Sequence, residues 1–95
     1  ILLFGTEEQK KAVLPQLASG EHLAAFALTE PEAGSDASNV QTRADYDPIK
    51  KVFRINGEKR WITNGGIAKT LTLIARDPAL GKDRITAFLV HPEME

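Results

Sequence analysis

Val52-Phe53-Arg54-Ile55-Asn56-Gly57-Glu58-Lys59-Arg60-Trp61-Ile62-Thr63 reads as two extended arms around a two-residue turn. Asn-Gly accepts the positive φ angles of a primed turn, so residues 52–55 and 58–63 are expected to pair as a β-hairpin. Asn64-Gly65-Gly66 ends the second arm. Working outward, residues 71–76 and 84–90 are two further strands, joined by a loop that carries Pro78 and Gly81. On the other side, residues 40–46 form a strand that Asp47-Pro48 breaks, and residues 24–29 form a short apolar one. Between those two, Pro31, Gly34, Ser35, Asp36 and Ser38 gather in a loop. The chain opens with a helical signal. Thr6-Glu7-Glu8-Gln9 has capping-box spacing, and its two acids suit the positive end of a helix dipole. The helix should run from Glu7 to Gly20, with Pro15 imposing a kink or a restart. The expected fold class is mainly β: one helix, then about six short strands in a small antiparallel β-barrel or sandwich. So few strands leave an open edge, which points to further sequence covering it.

Composition narrows the function classes. Ninety-five residues allow one modest core and not two. Twelve Lys and Arg against 13 Asp and Glu give a net charge of -1, without a basic run, which argues against a nucleic-acid or anionic-membrane partner. The absence of cysteine removes disulfides, thiolate metal sites and a cysteine nucleophile. Ile1-Leu2-Leu3-Phe4 is too short for a signal peptide or a membrane span. Both ends read as cut, so the chain is expected to be a fragment of a larger protein.

Two segments hold the residues suited to chemistry. In Phe26-Ala27-Leu28-Thr29-Glu30-Pro31-Glu32-Ala33-Gly34-Ser35-Asp36, a strand delivers Thr29 to its end and a Gly-Ser turn follows. Backbone amides of such a turn, with the Ser35 hydroxyl, suit an anionic oxygen such as a pyrophosphate's. The pattern equally fits a plain tight turn in which Ser35 and Asp36 bond their own backbone. In Trp61-Ile62-Thr63-Asn64-Gly65-Gly66, a strand would put Trp61 and Thr63 on one face. An indole beside a hydroxyl suits a flat ring with polar edges, and equally a core Trp with an exposed Thr. His22 and His91 lie far apart, without partners at metal or catalytic spacing, and read as surface or strand-end residues. Glu30, Glu32 and Asp36 lack the spacing of a calcium loop, so no metal ligands are expected. Neither dinucleotide nor P-loop glycine motifs occur.

In order along the chain, Leu28-Thr29-Glu30-Pro31, Gly34-Ser35-Asp36, Ile55-Asn56-Gly57-Glu58-Lys59 and Trp61-Ile62-Thr63-Asn64-Gly65-Gly66 resemble the signature of the acyl-CoA dehydrogenase family. Upstream, Gly5-Thr6-Glu7-Glu8-Gln9-Lys10 and Leu14-Pro15-Gln16-Leu17-Ala18-Ser19-Gly20-Glu21 resemble the last helix of that family's N-terminal domain. The resemblance covers essentially the whole chain and looks closest to the very-long-chain branch. It implies that residues 1–21 end an all-α domain, that residues 22–95 form an incomplete middle β-domain, and that a C-terminal helical domain lies outside this sequence. It also implies non-covalent FAD. Phe26 and Leu28 would line the flavin, and Thr29 would hydrogen-bond the pyrimidine side. Gly34 and Ser35 would contact the pyrophosphate, with Ser35 also near the acyl-CoA. Trp61 and Ile62 would lie against the flavin edge, and Thr63 would bond at N5. The catalytic Glu belongs to the C-terminal domain, so no catalytic residue is assigned here. The family oxidises an acyl-CoA thioester to the trans-2-enoyl-CoA and passes electrons to an electron-transfer flavoprotein. Its members work as homo-oligomers, dimers or tetramers, in the bacterial cytoplasm or the mitochondrial matrix. Position 27 is Ala where many relatives have Cys, and Glu32 puts an acid beside the phosphate turn, so it must point away. An acyl-CoA oxidase and a non-catalytic flavin- or acyl-CoA-binding module share the pattern. With much of the family's site outside it, the isolated chain is expected to bind FAD weakly or not at all.

Overall fold

A computed structural model describes residues 1–82 and 84–94. Glu95, the end of the expected middle domain, lies outside the described residues. Helix α1 spans Glu7–Ser19 and strands β1 to β5 span Ala24–Ala27, Arg43–Asp47, Val52–Asn56, Thr70–Arg76 and Ile85–Val90. Short 3-10 turns occur at Ala37–Asn39 and Pro78–Leu80.

The capping box forms as its spacing requires. The Gln9 amide donates to Thr6 Oγ1 at 3.1 Å and the Thr6 amide to Gln9 Oε1 at 2.9 Å. At the other end Gly20 adopts a left-handed conformation with φ 81°, which glycine reaches without steric cost. The helix runs unbroken through Pro15, so of the expected kink or restart the restart does not occur. Pro15 removes the amide that would have bonded the Lys11 carbonyl, at an exposed position of the helix. Only Val13 of this helix is buried.

The sheet is organised around β4. One edge pairs antiparallel with β5 from Leu71↔Val90 to Arg76↔Ile85. The other edge pairs parallel with β1, from Ala24↔Thr70 to Ala27↔Leu73, and meets β2 at Arg43↔Arg76. β2 then pairs antiparallel with β3. The mainly β fold with one leading helix and an open edge is as expected. The all-antiparallel barrel or sandwich is corrected, since the sheet has five strands among the described residues, includes parallel pairs and does not close. The long stretch between β1 and β4 is the crossover that a parallel pair requires. The sheet curls enough for Phe53 of β3 to pack on Phe88 of β5, with ring centroids 5.0 Å apart.

The expected hairpin is displaced. Its turn lies between β2 and β3, where Asp47 Oδ1 accepts the amides of Ile49 at 2.9 Å and Lys50 at 3.1 Å, and Lys51 takes φ 55°. Neither Asn56 nor Gly57 has a positive φ. Gly57 serves close approach instead, since a Cβ there would lie 2.7 Å from Thr42 Cα. Residues 58–63 are not a strand, because Trp61 at φ 57° and Asn64 at φ 63° break the extended run. The buried apolar residues are small: Val13, Val40 and the alanines at 25, 27, 33, 44, 68 and 75. Among the described residues no helix is long and apolar enough to cross a membrane.

Candidate functional site

The two segments singled out in the sequence meet. β1 carries the chain to Leu28 and Thr29, and the turn closes through Glu30 and Ala33, whose amides donate to each other's carbonyls at 2.9 and 3.2 Å. The Thr29 carbonyl accepts the Arg60 amide at 2.8 Å. Lys59 Nζ donates to the Leu28 carbonyl at 3.0 Å and to Glu30 Oε1 at 2.7 Å. Three successive residues are thus held by residues 59–60, immediately before Trp61.

Glu30 is the hub of this junction. Its side chain is 2% exposed and that of Lys59 10%. The carboxylate also accepts the amides of Gln41 at 2.5 Å and Thr42 at 3.0 Å, which anchors it to the segment leading into β2. Burial alone would push the carboxyl pKa up. The hydrogen bonds from Lys59 and from the Gln41 and Thr42 amides outweigh burial and hold it down at about 2. The group is therefore a fixed anion at neutral pH, satisfied on both oxygens. In the sequence Glu30 and Lys59 stand inside the family motifs, with no pairing between them expected. The available signal was the acid at the end of one apolar strand and a lone lysine after the Asn-Gly.

The remaining predicted residues fall as follows. Leu28 and Thr29 are half-buried, as is Ile62, while Gly34, Ser35 and Thr63 are exposed. Phe26 is 59% exposed and faces an apolar cavity of about 440 Å³ with Phe4, Ile74 and Phe88. Trp61 is 87% exposed. It and Thr63 do not share a strand face, since residues 61–63 form no strand, which corrects that expectation. Near the Gly-Ser turn, Asp36 Oδ1 accepts the Ser38 hydroxyl and the Glu32 carbonyl accepts Asn39 Nδ2 at 2.8 Å. Glu32 opens on a cavity shared with Glu58 and Gln41, whose lining includes neither Gly34 nor Ser35.

His22 and His91, distant in sequence, line one cavity of about 290 Å³ with Gln16, Lys69, Thr70 and Glu93. His91 Nδ1 lies 3.0 Å from the Lys69 carbonyl, which only accepts, so that nitrogen carries the proton. Among the described residues no cluster of three His, Asp or Glu could hold a metal ion.

The fold and this junction define a β-rich domain with a lone indole standing beside a clamped strand end. Residues 25–95 match the family described as acyl-CoA dehydrogenase, middle domain. The chain belongs to the acyl-CoA dehydrogenase family. The mitochondrial very long-chain specific acyl-CoA dehydrogenase of Macaca fascicularis is 54% identical over 97 residues, covering 96% of this chain and 15% of that protein. A crystal structure of Mycobacterium smegmatis glutaryl-CoA dehydrogenase in complex with FADH2 superposes with TM-score 0.88 at 41% identity, covering 98% of this chain and 22% of that one. The FAD complex of Bacillus anthracis acyl-CoA dehydrogenase gives TM-score 0.87 at 45% identity, over 96% of this chain and 15% of that one. The chain spans less than a quarter of each of these proteins.

Proposed function

We propose that this chain is the flavin-holding segment of an acyl-CoA dehydrogenase, an oxidoreductase that converts a fatty acyl-CoA to the trans-2-enoyl-CoA. Residues 1–21 then end a helical domain, and residues 22–95 belong to the middle β-domain of a longer protein. The observation that carries the reading is the bond from the Arg60 amide to the Thr29 carbonyl at 2.8 Å, which brings the strand end and the Trp61 loop together. Those residues fit a tricyclic, polar-edged ring. An indole 87% exposed offers a face for stacking, and the hydroxyls of Thr29 and Thr63 offer donors for ring heteroatoms. FAD, when bound, supplies the hydride acceptor. Around it, Phe26, Leu28 and Ile62 exclude water, and donors at Thr29 and Thr63 stabilise charge on the ring's edge. Gly34 and Ser35 bind the pyrophosphate, with Ser35 also against the acyl-CoA. The carboxylate that takes the α-proton is assigned to a domain outside this chain. Electrons leave to an electron-transfer flavoprotein, and the whole protein assembles as a homo-oligomer.

The test uses the full-length protein. It should purify yellow, its flavin absorbance should bleach on adding an acyl-CoA, and trans-2-enoyl-CoA should appear. Thr63→Val should slow the bleaching by about 10- to 1000-fold. Rapid peroxide formation on re-oxidation would replace the dehydrogenase reading with an oxidase. A colourless protein that takes up no flavin overturns both.

A further inference from the structure

We propose that Glu30 and Lys59 are positioning residues of the flavin site, a buried ion pair that sets the strand end at Thr29 in register with the loop of Trp61, Ile62 and Thr63. This rests on the flavin reading above and adds two residues that do not themselves touch the ring.

The argument starts from cost. Burying two unlike charges is expensive, and an apolar pair of equal volume often gives equal or greater stability. Such a pair is best explained where each hydrogen bond specifies a position that greasy packing would leave loose. Here each bond does. Lys59 Nζ reaches the residues on both sides of Thr29, through the Leu28 carbonyl at 3.0 Å and the Glu30 carboxylate at 2.7 Å. The Arg60 amide takes the Thr29 carbonyl between them. Glu30 is in turn fixed from the opposite side by the amides of Gln41 and Thr42. Thr29 and the 61–63 loop lie outside regular elements, since β1 ends at Ala27 and residues 61–63 form no strand. No strand pairing spans these residues, so one backbone bond, from the Arg60 amide to the Thr29 carbonyl, and the ion pair on either side of it set their separation. Hydrogen-bond donors for a reaction centre lose their effect when displaced by about 1 Å, which costs about 100-fold in rate.

The experiment compares Lys59→Met, Glu30→Gln, the double variant and Lys59→Arg in the full-length protein at saturating FAD and well below the melting temperature. The readouts are the dissociation constant for FAD, the visible circular dichroism of the bound flavin, and kcat against KM for an acyl-CoA. Each single variant is expected to weaken FAD binding and to lower kcat by about 10- to 100-fold with KM little changed. The flavin dichroism should change shape. The double variant should be no worse than the poorer single one, because the pair acts as a unit. Lys59→Arg should recover part of the loss, as it restores a charged donor. A merely structural pair would lower the melting point of the apoprotein yet leave the dichroism and kcat of the saturated enzyme at wild-type values, and that result overturns the proposal. Should Lys59→Met fail to fold, the neutral double variant and Lys59→Arg decide by the same readouts. A wild-type protein that takes up no flavin overturns the flavin reading itself, a separate failure visible before any substitution is made.

Discussion

Replacing Glu30 by Gln isolates what one buried carboxylate contributes to the fold. The carboxyl is held at about 2 in the folded chain against an ordinary value of 4.5. At 1.36 kcal/mol per pH unit, that difference favours the folded state by about 3 kcal/mol at neutral pH. The depressed folded value sets the sign. The contribution is complete above pH 4.5 and is lost as pH falls toward 2, where the folded state must also take up the proton. A protonated Glu is nearly isosteric with Gln, so wild type and Glu30→Gln should converge in acid and diverge in neutral solution. The other acidic residues titrate in both proteins and cancel in the comparison. Hydrogen exchange in the full-length protein gives a local measure, because the Gln41 and Thr42 amides donate to this carboxylate. At pH 6.5 those amides should exchange roughly 100-fold more slowly in wild type than in Glu30→Gln, with the ratio shrinking below pH 4.5 and approaching one only below about pH 2. A ratio that stays constant across this range would show that the anion does not hold the junction, and would refute the reasoning.

Two further substitutions probe the frame. Thr6→Ala removes one half of the capping box and should cost about 1 kcal/mol, read as faster exchange at the first amides of α1, while Thr6→Asp should retain most of it. Gly57→Ala places a Cβ 2.7 Å from Thr42 Cα, and backbone must move to admit it. The expected cost is about 2–3 kcal/mol, against about 1 kcal/mol for Gly20→Ala, where nothing lies within 4 Å and only the left-handed backbone resists. Melting curves of the two variants side by side check that order.

Local chemistry was legible in the chain. The Thr6–Gln9 capping box, the Gly20 terminus and the strands at β1, β4 and β5 follow from hydroxyl, glycine and apolar spacing, because each is decided by neighbours a few residues away. The ordered motifs around Thr29 and Trp61 carried the family. The hairpin was misread for an instructive reason: Asn56-Gly57 has the preference for a primed turn, but Gly57 is consumed by contact with Thr42 and Lys59 is drawn to Glu30. Asp47, capturing two amides, makes the turn instead. A parallel β1–β4 pair, an open curled sheet and the Glu30–Lys59 pair, 29 residues apart, belong to the tertiary structure alone. Periodicity reports which residues face inward, and it is silent on which distant strand or charge will meet them there. That choice is made only when burial leaves a carboxylate no water and the fold must bring it a cation.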